Sequence, residues 1–142
     1  IFLLDKKNRY VGAKIRTGSF TSTDIELQSV EMDGSLTQTP EFPYNWMYDG
    51  SRPQMPGFEM EITCKSLFLI FKDSGEMDVG KADVFVNDVY CMTADPHKNN
   101  WLHCNAVLLF WETESRSHKV RITVTEEDQN KKFTILGFGY TI

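Results

Sequence analysis

Hydrophobic and polar residues alternate over much of this chain. In "GFEMEITC", Phe58, Met60, Ile62 and Cys64 fall on one side and Glu59, Glu61 and Thr63 on the other. A period of two marks a strand with one buried and one wet face. "KVRITV" repeats the pattern, with Val120, Ile122 and Val124 turned in and Arg121 and Thr123 turned out. "SLFLIF" (Ser66 to Phe71) and "AVLLFW" (Ala106 to Trp111) are continuous apolar runs, as in strands covered on both faces. "KADVFVNDVY" reads as strand, tight turn, strand, because Asn87 and Asp88 tolerate the positive φ such a turn demands. "VGAKIR", "DIELQSV" and "KFTILGFGYTI" complete the set. About eight or nine short strands result, and they predict an all-β sandwich or barrel. Gly137 and Gly139, inside the last strand, mark a bulge or a close approach of backbones.

Two segments break the alternation. Gln38 to Pro56 holds four prolines together with Tyr44, Trp46 and Tyr48. Thr93 to Asn100 is polar and leads straight to Trp101. Both read as long loops on a rigid scaffold, the usual place for function. The second runs into "NNWLHCNAV" (Asn99 to Val107), a loop entering a strand with Trp101 and His103 at its mouth and Cys104 and Val107 turned inward.

Composition narrows the classes. The 142 residues suit one domain, residues 1–142, long enough to bury a core. The chain opens on Ile1, and the expectation is a piece excised from a larger protein. A net charge of −5 without a basic stripe argues against nucleic acid. No apolar run approaches the ~20 residues of a membrane-spanning helix. Three cysteines, Cys64, Cys91 and Cys104, cannot all pair, so they leave the redox compartment open.

Metal and catalytic chemistry find little support. Cys91, His97 and the adjacent His103 and Cys104 lack the paired spacing of a zinc site, and neighbours on a strand point to opposite faces. "KDSGEMDVG" supplies Asp73, Glu76 and Asp78 without the spacing of a calcium loop, so calcium is at most a weak signal and no cofactor is expected. No serine stands in Gly-x-Ser-x-Gly or Gly-Asp-Ser, so no catalytic residue is assigned and the chain is not expected to be an enzyme by itself. Binding is the better reading. Flat aromatic faces stack on the C–H-rich faces of sugars, and nearby amides and imidazoles bond hydroxyls. The candidate platforms are Trp46, Tyr48 and Trp101, and the candidate polar contacts are Asn45, Asn100 and His103.

"FEMEITCKSLFLIFK", "KADVFVNDVY", "NNWLHCNAVLLF", "SHKVRITVTE" and "KFTILGFGY" follow one another in this order. The series resembles the accessory domain attached to SGNH/GDSL-type carbohydrate esterases of gut and rumen bacteria. The resemblance covers roughly residues 57–142. The hairpin departs from the family pattern, with Asn87-Asp88 in place of Asp-Gly. The catalytic Gly-Asp-Ser and Asp-x-x-His blocks are absent. The resemblance implies an antiparallel β-sandwich of the jelly-roll, carbohydrate-binding kind, secreted or displayed at the cell surface. It implies a non-catalytic module that brings a linked esterase to plant cell-wall polysaccharide of xylan, mannan or β-glucan type. The alternative is a structural domain that packs on the hydrolase domain and completes its active-site cleft.

Overall fold

The computed structural model describes residues 1–25, 30–32, 35–37, 42–53, 56–98 and 104–142, with 30–32 and 35–37 described by backbone alone. Among the described residues ten strands follow in order: β1 (Phe2–Leu4), β2 (Ala13–Arg16), β3 (Val30–Met32), β4 (Ser35–Thr37), β5 (Trp46–Tyr48), β6 (Phe58–Lys72), β7 (Ala82–Val86), β8 (Val89–Ala94), β9 (Cys104–Val124) and β10 (Phe133–Thr141). Among the described residues the only helical element is a short 3-10 turn, Glu126–Asp128. Strands β3 and β4 form a separate hairpin. The other eight form one antiparallel sheet in the order β1-β10-β6-β9-β7-β8, with β2 also on β6 and β5 also on β10.

This sheet closes on itself into a sandwich, and β6 shows why. Phe138 of β10 lies opposite Leu69 of β6. Phe58 stands eleven positions before Leu69, about 36 Å away on a straight strand. Yet the rings of Phe58 and Phe138 stack with centroids 5.6 Å apart. The strand must therefore turn through the core and serve both layers. It bends at Lys65. Before it the buried apolar side chains are Phe58, Met60, Ile62 and Cys64; after it they are Leu67, Leu69 and Phe71. The inward parity switches from even to odd because Lys65 is spent in a bulge. Opposite it, β9 spends four residues, Glu112 to Ser115, between Trp111 (facing Ser66) and Arg116 (facing Cys64).

Two pairs of runs that the sequence separates are thus single strands. "GFEMEITC" and "SLFLIF" are both in β6, and "AVLLFW" and "KVRITV" are both in β9. The expectation that "AVLLFW" is covered on both faces is not met: Leu108 is 45% exposed and Trp111 79%. Both lie on the outer face of the β1-β10-β6-β9 layer. Leu3, Gly139, Phe68 and Leu108 line up there across four strands, with Gly137, Ile70 and Ala106 beside them. Cys104 is half-buried opposite Lys72 rather than in the core.

Other expectations hold. Asn87 and Asp88 have φ of 51° and 64°, joining β7 to β8 in a tight turn. Gly137 sits at a register shift of β10, and a Cβ there would come 2.9 Å from the Leu4 carbonyl oxygen. The predicted strand "DIELQSV" lies partly outside the described residues; Asp24 and Ile25 are not in a strand and Val30 opens β3.

Candidate functional site

The segment read as a proline-rich loop carries a strand. Strand β5 pairs with β10, Trp46 facing Ile135 and Tyr48 facing Phe133. This places Trp46 (3% exposed) and Tyr48 (2%) in the core, so neither offers an open face to a sugar. The Trp46 indole packs against Phe58 and Phe138, at 5.2 and 6.2 Å. The Tyr48 hydroxyl donates to the Gln129 carbonyl, and its ring lies 5.8 Å from Phe20. Alternation along three residues of strand brings 46 and 48 to one side, and pairing with the central β10 makes that side the interior.

Asn45 is completely buried and fully engaged. Its Oδ1 accepts from the Asp24 amide (2.8 Å), and its Nδ2 donates to the Asp24 and Phe42 carbonyls (3.1 and 2.9 Å). It ties segment 42–45 to segment 23–25 and has no amide hydrogen left for a ligand. Asn100, Trp101 and His103 lie outside the described residues. Their anchors are described: Lys98 ends a turn after β8, and Cys104 opens β9 opposite Lys72.

That end of the sandwich gathers polar groups the sequence did not single out. The Asp24 carboxylate accepts from Lys72 Nζ (2.9 Å) and Thr134 Oγ1 (3.0 Å), and all three line a small pocket of about 170 Å³. Met47, Ile25 and the Lys132–Asp78 ion pair (3.4 Å) complete its wall. The signal in the sequence was slight: Lys72 and Asp73 end an apolar strand, and Asp24 is merely one of many polar residues in its region.

Asp73 is buried there, close to the Asn105 side chain but with no well-formed hydrogen bond to either carboxylate oxygen among the described residues. Burial pushes its pKa above the usual carboxylate range; the Asn105 side chain pulls it down, and Asp95 pushes it further up. Asp73, Glu76 and Asp78 do not converge, and no group of three or more such ligands is poised for a metal among the described residues.

Nucleophilic chemistry has no machinery among these contacts. His97 Nε2 donates to the Val79 carbonyl (2.7 Å). His118 Nδ1 accepts from Asn87 (3.0 Å), and its Nε2 lies 3.1 Å from Glu112. None of these partners is a serine or cysteine. The Cys64 thiol is pushed up to about 11, by burial first and by Glu112 second, so it stays protonated. No disulfide joins the three cysteines.

A second, larger concavity of about 520 Å³ opens on the side of the sandwich, between β2 and the β1 and β5 edges. Leu4 and Trp46 form its floor, Tyr10, Ala13 and Ile15 its walls, and Lys6, Arg9 and Val11 its rim.

No sequence family and no curated protein matches the chain. Solved structures do. A two-domain esterase active on acetylated mannans superposes with a TM-score of 0.63 at 13% identity, over 99% of this chain and 36% of that one. An acetyl xylan esterase from the rumen bacterium Butyrivibrio proteoclasticus gives 0.56 at 12% identity, over 98% and 32%. A family 35 carbohydrate-binding module from an environmental isolate gives 0.55 at 15% identity, over 100% and 93%. The chain thus has the β-sandwich fold of a carbohydrate-binding module. It spans about a third of the length of the esterases it resembles.

Proposed function

We propose that this domain is a non-catalytic carbohydrate-binding module that holds a linked esterase on acetylated plant cell-wall polysaccharide. The observation that carries the reading is the loop end of the sandwich. There Cys104 lies opposite Lys72, which lines the Asp24–Lys72–Thr134 pocket, and in the sequence Asn100, Trp101 and His103 immediately precede it. The fold, shared over nearly the whole of a family 35 module, supports it. A pocket of 170 Å³ is small beside the roughly 300–1,000 Å³ of enclosed ligand sites. The polysaccharide would therefore lie across the open end, with Trp101 as platform and His103 and Asn100 as hydroxyl partners. Such a module works outside the cell, in secreted or surface-displayed form.

Affinity gel electrophoresis tests this against acetylated mannan, xylan and β-glucan, with and without a calcium chelator. Retardation of the wild type, lost in Trp101→Ala and reduced in His103→Ala with unchanged circular dichroism, is the expected result. A folded wild type retarded by none of the gels would remove the proposal.

A second reading rests on the outer face of the β1-β10-β6-β9 layer. Apolar side chains without a cover of this kind mark an interface. Here it would be one with the catalytic domain of the same polypeptide. Replacing Leu108 and Trp111 together by lysine should then abolish self-association of the isolated domain in sedimentation and leave polysaccharide binding intact. A wild type already monomeric and indifferent to an apolar dye counts against this role.

A further inference from the structure

The side concavity differs from the loop end in size, charge and lining. Residues 1–16 carry five basic side chains and one acidic, net +4, whereas the remaining residues carry ten basic and nineteen acidic, net −9. Lys14 and Arg16 lie opposite Glu61 and Glu59 of β6, which leaves Lys6 and Arg9 as the basic groups at the pocket's rim. Arg9, exposed at its rim, has no ion pair or hydrogen bond among the described residues. The Lys6 ammonium donates to the Ser22 carbonyl and Thr23 Oγ1 (3.3 and 2.8 Å) and keeps one of its three hydrogens.

Beneath this rim the lining is mostly apolar, with Thr17 at one side, and the polar atoms of Asp5 and Tyr10 are already engaged. Asp5 accepts from the Lys7 and Asn8 amides and from the Asn8 side chain. The Tyr10 hydroxyl donates to the Thr63 carbonyl (2.7 Å), and its ring stacks on Tyr140 at 4.6 Å. A hydroxyl-rich sugar would lose its water partners here and find few replacements. A flat ring without hydroxyls keeps contact with Tyr10, Ile15 and the Trp46 edge, and one carboxylate satisfies Arg9 and Lys6. The volume lies within the range of small-molecule sites.

We infer that the pocket between β1, β2 and β5 binds an aryl carboxylate, its ring on Tyr10, Ile15 and Trp46 and its carboxylate on Arg9 with Lys6. The site is separate from the polysaccharide reading and does not depend on it.

Titration of the ¹⁵N-labelled domain with cinnamate at neutral pH, beside cinnamamide and glucuronate, tests the assignment. Cinnamate should shift the amides of residues 4–17 and 46 and leave those of 95–98 in place. Cinnamamide and glucuronate should bind more weakly, and Arg9→Gln should weaken cinnamate by about tenfold or more, the scale of a charge-assisted contact. Arg9 is exposed, so that variant keeps the fold; Val11→Asp, equally exposed, should weaken cinnamate as well by setting a negative charge at the rim. Equal binding of cinnamamide, tighter binding of glucuronate, shifts centred elsewhere, or no binding at all would each overturn the inference. None of these outcomes bears on retardation in polysaccharide gels.

Discussion

Asp49 and Asp73 show how two carboxylates of one domain answer pH in opposite senses. Hydrogen bonds from Ser22 and Ser51 lower Asp49 to about 2. Its folded-state pKa lies below the unfolded value, so its contribution to stability is present above about pH 4 and is lost as pH falls towards 2. Asp73 is raised by burial. It costs nothing below the unfolded pKa, where both states are protonated; the penalty grows as pH rises from the unfolded to the folded pKa and is constant above it. Thermal unfolding across pH should therefore show Asp73→Asn gaining over the wild type at pH 7, with the gain vanishing below about pH 4. Asp49→Asn should lose most at neutral pH and converge on the wild type near pH 2. If Asp73→Asn gained equally at every pH, the charge would not be the cause. At the same scale, Trp46→Ala should cost about 3–5 kcal/mol in denaturant unfolding, the range for a buried aromatic ring. A loss below 1 kcal/mol would contradict its place between Phe58 and Phe138.

At the level of elements, the sequence was most legible where one face is wet. Glu59, Glu61 and Thr63 made the first half of β6 readable, and Asn87-Asp88 made the β7–β8 turn readable, because each declares its environment locally. What failed depends on partners far along the chain. Nothing near Lys65 announces that β6 continues through a bulge, since the partner that absorbs the mismatch is β9, over forty positions away. Nothing in "YNWMYD" announces that β10 will accept Trp46 and Tyr48 into the interior. An aromatic cluster among prolines therefore looked like a binding loop, and Asn45, whose type suits a ligand contact, is a crosslink to Asp24. The bulge also makes a sharp prediction. Deleting Lys65 removes the extra residue, so Leu67, Leu69 and Phe71 would follow Phe58, Met60, Ile62 and Cys64 on the inner side by plain alternation. The deletion variant should therefore keep a cooperative unfolding transition; its loss would show that β6 needs the bulge itself to turn through the core.

Across the whole molecule, charged and apolar positions fall on different parts of the surface. Acidic residues dominate the chain, Lys6 and Arg9 stand at the side pocket, and the outer face of one layer is apolar. The pairing of β1 with β10 has a different consequence. Phe2 stands opposite Tyr140, so the two chain ends leave the same edge as neighbours. A short glycine-serine linker from Ile142 to Ile1 should close the chain without strain, and new ends opened between Asp88 and Val89 fall in an exposed turn. Such a circular permutant should melt cooperatively within a few degrees of the parent by calorimetry. An aggregated or molten product would mean that the order of the strands in the chain, not their arrangement in space, directs folding. With its ends together, the domain can be spliced into the middle of a host polypeptide as readily as attached to its end, a cassette with a single point of entry and exit.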